Sequence, residues 1–269
     1  MNNGIIKIDS GISGEKIAIF CGVHGNEKAG IFAVERALKE LKIIKGSVTF
    51  VFANQEAIKK NVRQIEKNLN RCFNKDELPT TYESKRAIEL MNILDDVDYL
   101  LDIHSSNNPN TEPFIITEKN GFDIVKNMNF RIIATGFDSI EPGATDGYMQ
   151  KNNKIGICLE CGFSGESEKN TDLAYDSIVQ FLQYFGSIEN ISEKNNIKQK
   201  VLLVNDVQKV TDSSFRLTKS FADFEELKKG DKIAWDSSRE YIIDRDRVIL
   251  FGSPGKPVGA EAYILGEWI

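Results

Sequence analysis

Apolar residues in this chain form short runs that alternate with longer segments of helical spacing. The run at residues 17–21 is continuously apolar, as expected of a strand buried on both faces. A helical pattern follows over about residues 27–42, with Asn26 as the expected N-cap. This alternation continues to about residue 185. It predicts an α/β fold with a mixed, mostly parallel sheet and helices on both faces.

The pattern predicts several further elements in this part of the chain. Strands are expected at residues 5–8, 48–53, 99–104, 114–116, 131–134 and 155–161. Helices are expected at residues 54–61, 84–94, 122–127 and 172–185.

The hydrophobic pattern changes near residue 200. Residues 187–200 are charged and rich in asparagine, which is typical of a linker. Beyond them, short strand patterns separated by turn signals predict a small all-β module. We therefore expect an α/β domain at residues 1–196 and a C-terminal β module at residues 197–269. The strands of the module are expected at residues 201–210, 215–217, 232–235, 241–243, 248–251 and 260–265.

The chain contains two histidines, and each comes at the end of a strand pattern. Ligands of open α/β sheets bind where the strands end. His24 and Glu27 form a His-x-x-Glu motif, in which both side chains suit zinc, and His104 supplies a third ligand. Three protein ligands with one open position are typical of a catalytic zinc. The alternative is that each histidine simply lies in a polar loop, since short motifs often match by chance.

Two carboxylates stand out near these histidines. Glu160 ends an otherwise apolar strand pattern, where burial should raise its pKa into the range of a general acid or base. An ion pair with a nearby lysine or arginine explains it equally well. Asp102 lies two residues before His104, so both point to one face of a strand. Asp102 could therefore accept a hydrogen bond from the imidazole of His104.

Arg63, Asn70 and Arg71 follow the strand predicted at residues 48–53. The planar guanidinium matches a carboxylate, and an adjacent asparagine adds a neutral donor. A solvated surface loop is the alternative for such residues.

Composition excludes several functions. The net charge of −6, without a basic stripe, argues against a nucleic-acid or membrane partner. No apolar run is long enough to span a bilayer and no signal peptide begins the chain, so we expect a cytoplasmic protein. The four cysteines read as free buried thiols. Cys158 and Cys161 form a C-x-x-C pair, but in a strand they would point to opposite faces and bind no common metal.

Together these residues resemble a known family. The order His24-x-x-Glu27, Arg63, Asn70-Arg71, His104 and Glu160 resembles the zinc carboxypeptidase superfamily, and most closely the succinylglutamate desuccinylase/aspartoacylase family. The strings that carry the resemblance are Gly-Val-His-Gly-Asn-Glu, Asn-Leu-Asn-Arg-Cys-Phe, Asp-Ile-His-Ser-Ser and Leu-Glu-Cys-Gly. The segments Leu-Lys-Lys-Gly-Asp and Gly-Ala-Glu-Ala-Tyr are similar to the β module of that family, so the resemblance spans almost the whole chain.

The resemblance implies a complete active site. It implies one Zn²⁺ per chain held by His24, Glu27 and His104, with Glu160 as the general base. Arg63 would polarise the scissile carbonyl, while Asn70 and Arg71 would hold a substrate carboxylate. The β module would narrow access to the site, which favours a small N-acylated amino acid as substrate.

The sequence departs from the family at two positions. The usual Asp-Leu-Asn-Arg begins with Asn68 here, which removes a negative charge beside the arginine. Aspartoacylases carry an arginine about ten residues before the catalytic glutamate, where it binds the second carboxylate of the substrate. Gln150, followed by Lys151, stands there in this chain. This difference weakens the expectation of a diacid substrate such as acetylaspartate.

The leading hypothesis is thus a zinc-dependent amidohydrolase that removes the acyl group from a small N-acyl amino acid. One alternative is a zinc carboxypeptidase acting on a peptide or peptidoglycan fragment, which would need an open groove beside the metal. The other is a metal-dependent binding module without turnover. A homo-oligomer is compatible with the sequence.

Overall fold

The computed structural model describes residues 3–76, 78–109, 111–190 and 197–269. Its strands are β1 (Ile5–Asp9), β2 (Lys16–Cys21), β3 (Ser47–Phe52), β4 (Tyr99–Ser106), β5 (Phe114–Thr117), β6 (Ile132–Thr135), β7 (Ile155–Phe163), β8 (Lys200–Lys209), β9 (Arg216–Leu217), β10 (Glu225–Leu227), β11 (Lys232–Trp235), β12 (Glu240–Ile242), β13 (Arg247–Leu250) and β14 (Glu261–Trp268). Its α-helices are α1 (Lys28–Glu40), α2 (Gln55–Lys60), α3 (Tyr82–Asp96), α4 (Phe122–Val125), α5 (Phe137–Ile140), α6 (Thr145–Lys151) and α7 (Ser167–Tyr184). Short 3₁₀ turns lie at Leu69–Arg71, Lys119–Gly121 and Ser164–Glu166.

The described strands form one large mixed sheet and one small antiparallel sheet. The large sheet has the order β1-β3-β2-β4-β7-β5-β6-β8-β14-β13-β10, and the small one β12-β11-β9. Strands β3, β2, β4 and β7 run parallel to one another, so their carboxyl ends meet at one edge. The predicted fold class is confirmed: a mixed sheet with helices, followed by a small antiparallel sheet near the C-terminus.

Helices cover both faces of the large sheet because its central strands are apolar throughout. In β2, Ile19 packs into the core that contains side chains of α1 and α7. Its neighbour Phe20 packs with side chains of α3 and α6 on the opposite face. Both residues are fully buried. The alternation follows from the two-residue period of a strand, and it fixes which layer of helices each side chain of β2 packs against.

The turn after β2 depends on a glycine. A Cβ atom on Gly25 would come within 2.1 Å of the carbonyl carbon of Ala57, so the backbone can approach α2 closely only without a side chain. Asn26 was expected to cap α1, and this expectation is wrong. The helix begins at Lys28 with Glu27 in the cap position, and its start has no side-chain cap.

The C-terminal strands continue the large sheet. Strand β8 pairs in parallel with β6 and antiparallel with β14. Residues 197–269 also contain a hydrophobic cluster of their own, which includes Phe215, Ile233 and Tyr241. Residues 191–196 of the predicted linker lie outside the described part of the chain, whereas Ser187 and Ile188 are buried. The division at residues 196 and 197 therefore stays a prediction.

All four cysteines are free and buried. Cys158 and Cys161 belong to different core clusters, as expected for residues on opposite faces of β7. Among the described residues, no helix combines the length and apolar character required to cross a membrane.

Candidate metal centre and active site

Three buried side chains converge where the parallel strands end. His24 lies in the turn after β2, Glu27 immediately precedes α1, and His104 lies in β4. One ligand atom from each lies within 4.8 Å of the others. The Nδ1 atom of His24 is 2.8 Å from Oε1 of Glu27, and Nδ1 of His104 is 3.1 Å from Oε2 of the same carboxylate. The structure thus brings together all three residues predicted as metal ligands.

The geometry of this cluster suits a divalent cation. The two Nδ1 atoms lie 3.3 Å apart. Tetrahedral zinc with bonds of about 2.0–2.1 Å to nitrogen and oxygen separates its ligand atoms by about 3.3 Å. Two imidazole nitrogens and a carboxylate oxygen are the donor atoms that zinc takes in proteins. The residues present therefore fit a metal with one position left for a water or a substrate.

Each histidine is held from its other ring nitrogen. Nε2 of His24 lies 3.0 Å from Oδ1 of Asn68, and Nε2 of His104 lies 3.0 Å from Oδ2 of Asp102. Asp102 also accepts a hydrogen bond of 2.5 Å from Oγ1 of Thr145. These contacts favour protons on Nε2 and leave Nδ1 free to bind a metal. The side chain of Asn68 therefore contacts a candidate metal ligand, while its backbone carbonyl accepts from the backbone N–H of Arg71 over 3.0 Å.

The pKa directions agree with a metal site. Burial lowers the pKa of His24, which favours its neutral, metal-binding form. Burial opposes ionisation of Glu27, but His24 and His104 hold the pKa of its carboxyl well below the ordinary value. Burial also opposes protonation of His104, yet Asp102 raises the pKa of that imidazole well above its usual range. A metal ion that binds His104 would displace a proton from its imidazole.

Arg63 lies beside the candidate ligands. Its Nη1 donates to Oε1 of Glu27 over 3.0 Å, and 41% of its side chain is exposed. The segment that carries it is held by Glu83, which accepts from the backbone N–H groups of Ile65, Glu66 and Lys67. Arg63 is thus placed at the edge of the metal cluster and still reaches solvent.

Glu160 lies in β7 directly across from His104 in β4. Glu160 is partly buried. Burial, opposed by His104 and supported by Glu27, raises its pKa to about 8. Its Oε2 has no hydrogen-bond partner among the described residues. The raised pKa expected from the sequence is confirmed, and the geometry suits a group that exchanges protons.

Asn70 and Arg71 lie in the 3₁₀ turn Leu69–Arg71, next to Asn68. Oδ1 of Asn70 accepts from the backbone N–H of Thr145 over 3.1 Å, which orients its amide. Arg71 forms an ion pair of 2.8 Å with Glu141 and donates to the carbonyl of Asn70. The arginine expected to bind a substrate carboxylate therefore already contacts a carboxylate of the protein.

Gln150 and Lys151 lie away from this cluster, at the end of α6. Oε1 of Gln150 accepts a hydrogen bond from Asn120 at the exposed surface, and Lys151 is exposed. They offer no replacement for the arginine that aspartoacylases carry. Two residues near the site were not foreseen from the sequence: Glu141, which follows α5, and Thr145, which begins α6. The helix α6 itself carries no strong periodic signal, so nothing in the pattern singled them out.

Known proteins share sequence similarity with most of this chain. The sequence profile of the succinylglutamate desuccinylase/aspartoacylase catalytic domain matches residues 13–182. A probable aspartoacylase from Nostoc sp. is 25% identical over 205 residues, which cover 68% of each chain. A zebrafish N-acyl-aromatic-L-amino acid amidohydrolase is 36% identical over 107 residues, but these span only 33% of that protein and 34% of this chain.

Solved structures share the fold. Succinylglutamate desuccinylase from Vibrio cholerae superimposes with a TM-score of 0.85 at 16% identity, covering 98% of this chain and 85% of that one. The enzyme from Vibrio parahaemolyticus gives a TM-score of 0.80 at 19% identity, covering 99% and 86%. With the family profile matching well over half of the sequence, the chain belongs to the succinylglutamate desuccinylase/aspartoacylase family.

Proposed function

We propose that this protein is a zinc-dependent amidohydrolase that removes the acyl group from a small N-acyl amino acid. One observation carries the proposal: His24, Glu27 and His104 converge on one point, and Glu160 lies across from His104 in the adjacent strand. Relatives named aspartoacylase, succinylglutamate desuccinylase and N-acyl-aromatic-L-amino acid amidohydrolase support the reaction class.

The proposed chemistry divides between the metal and the protein. Zinc held by His24, Glu27 and His104 would act as a Lewis acid toward water and the scissile carbonyl. Glu160 would accept the proton of the attacking water and pass it to the leaving amine, a role that suits a carboxylate whose pKa is raised by burial. Arg63 would turn toward the carbonyl oxygen and stabilise its developing negative charge.

The substrate carboxylate is assigned to Asn70 and Arg71. Because Oδ1 of Asn70 is occupied by Thr145, its Nδ2 is the atom left to donate to a ligand. Arg71 keeps about a third of its side chain exposed, so donors of its guanidinium remain accessible beside Glu141. A planar guanidinium beside an amide donor suits the carboxylate of an amino acid.

We further propose that residues 197–269 form a module that covers the site. The side chain of Asn108, two residues after β4 ends, donates to the carbonyl of Phe221 over 3.1 Å. This contact ties a loop near the metal cluster to the C-terminal part of the chain. Such a cover favours small substrates over the peptides that a carboxypeptidase would need to admit.

The test is hydrolysis of a panel of N-acetyl and N-succinyl amino acids by the zinc-loaded protein. We expect turnover that is lost on chelation and restored by zinc. Glu160→Gln should lower kcat by about 10²–10⁴-fold while zinc content stays at one per chain, because the ligands are untouched. Equal activity of the two proteins would refute the mechanism. Zinc binding without turnover of any substrate would favour the metal-dependent binding module, and release of residues from peptides would favour a carboxypeptidase.

A further inference from the structure

The end of the site that holds Arg71 contains two carboxylates and two cations, which form two ion pairs. Arg71 is paired with Glu141 at 2.8 Å, and Lys256 lies 3.5 Å from Oε1 of Glu261. The four charges influence one another: after burial, Lys256, Glu141 and Arg71 are the charges that shift the pKa of Glu261. Each cation in this group therefore has a carboxylate of its own, and no positive charge is left over for a second carboxylate of a substrate.

Glu141 is the member of this group with an unused acceptor. Only 8% of its side chain is exposed. Its Oε2 binds Arg71, but Oε1 is buried without a hydrogen-bond partner among the residues that the structure describes. A buried carboxylate oxygen without a donor is costly, and a cationic group of a ligand would supply the missing donor.

The position of Glu141 is fixed by its neighbours. It directly follows α5, and two residues later the carbonyl of Gly143 accepts from the backbone N–H of Phe73 over 3.1 Å. Gly143 packs so closely on Arg71 that a Cβ there would lie 2.8 Å from the carbonyl oxygen of Arg71. The segment that carries Glu141 is thus packed against the turn that carries Asn70 and Arg71, and the carboxylate cannot easily move away.

We infer that Glu141 is a specificity-determining residue that directs the site toward N-acyl amino acids with a cationic side chain and away from those with a second carboxylate. The inference rests on the proposed deacylase function. The substrate's own carboxylate binds Asn70 and Arg71, and its terminal ammonium binds Oε1 of Glu141. An anionic side chain meets Glu141 and Glu261 instead, and like charges at close range disfavour binding.

The experiment uses three Nα-acetyl amino acids with side chains of similar length and different charge: lysine, norleucine and 2-aminoadipate. For the wild-type protein we expect kcat/KM to fall in that order. Glu141→Gln retains an acceptor for Arg71 but loses the charge, so it should reduce the preference for lysine over norleucine by about tenfold, mainly through KM. Glu141→Asp, which keeps the charge, should retain most of the preference.

Asp138→Asn is the matched control in assays at about pH 9, where a carboxyl with a pKa of about 7 is ionised, since it removes a negative charge three residues away whose side chain faces Gly147 instead. It should leave the order of the three substrates unchanged. A wild-type preference for 2-aminoadipate, or an unchanged preference in Glu141→Gln, would overturn the inference.

Calorimetric binding of the free amino acids lysine, norleucine and 2-aminoadipate separates this inference from the reaction itself. Binding of lysine that weakens in Glu141→Gln would support the specificity even if no acylated compound were hydrolysed. Turnover of the acylated panel with equal binding of all three amino acids would refute the specificity and leave the deacylase function intact.

Discussion

Glu160 and His104 are register partners on the adjacent parallel strands β7 and β4. The pairing places a carboxylate with a pKa of about 8 beside one of three side chains that converge on a candidate metal position. Because backbone hydrogen bonds between two central strands hold this arrangement, the distance between the two groups is set by the sheet and not by a loop.

In the metal-free protein, burial of the Glu160 carboxyl should make the free energy of unfolding depend on pH. The folded pKa of its carboxyl lies above the value of an unfolded chain, so the metal-free protein should lose stability as pH rises from about 4.5 to about 8 and no further above that. Metal-free Glu160→Gln should lack this loss. Urea unfolding of both metal-free proteins at pH 5, 7 and 9 measures the difference. Parallel stability curves would show that Glu160 ionises freely.

The contact between the uncharged side-chain amide of Asn68 and the imidazole of His24 should influence the affinity of the site for zinc. Asn68→Ala removes the acceptor at Nε2 of His24, and we expect zinc to bind about 10-fold to 100-fold more weakly. Asn68→Asp should bind zinc more tightly than the wild type, since a carboxylate makes the imidazole a stronger ligand. Competition with a chromophoric chelator measures both affinities. Asn120→Ala, at the exposed surface, serves as control, and an affinity unchanged in Asn68→Ala would contradict the assignment.

Glu83 should position Arg63. Its buried carboxylate accepts from three consecutive backbone N–H groups just after Arg63. Burial raises its pKa, but these hydrogen bonds outweigh burial and lower it overall, so its stabilisation is present above pH 4.5 and lost as pH falls.

Glu83→Gln should therefore cost about 2–3 kcal/mol of unfolding free energy at pH 7 and lower kcat. Glu89→Gln, on the same helix with an exposed side chain, should cost little. Chemical denaturation and steady-state kinetics test both variants. Full stability of Glu83→Gln would show that the loop is held by other contacts.

Asp138 should destabilise the protein at neutral and alkaline pH. Burial, with the nearby Asp146 and Glu118, raises its pKa to about 7. Because this value exceeds that of the unfolded chain, the penalty is absent below about pH 4, grows up to about pH 7 and is constant above it. Asp138→Asn should accordingly gain thermal stability over the wild type as pH rises through this window. A difference in Tm that does not vary with pH would refute the shift.

The sequence by itself predicted most of the strands, the long helices and the three residues of the candidate metal cluster, but it missed β10, α5 and α6. A short, continuously apolar run such as residues 17–21 is typical of a buried strand, and the carboxyl ends of parallel strands share one edge of a sheet. His24, Glu27 and His104 could therefore be grouped before their distances were known. The position of Glu160 followed from the same rule, since a carboxylate that ends an apolar strand reaches the same edge.

Only the tertiary structure decided what these side chains contact. The sequence placed Asn68 beside Arg71, whereas folding brings it to His24. The sequence showed Gln150 at the position of the aspartoacylase arginine and left its orientation open, and the structure places its side chain against Asn120 at the exposed surface. Glu141 reaches Arg71 across 70 residues of chain, and no local pattern encodes such a pair. The periodicity of apolar residues predicts which side chains are buried. The pairing of charged side chains depends on how segments distant in the sequence pack together, and a single sequence does not show that packing.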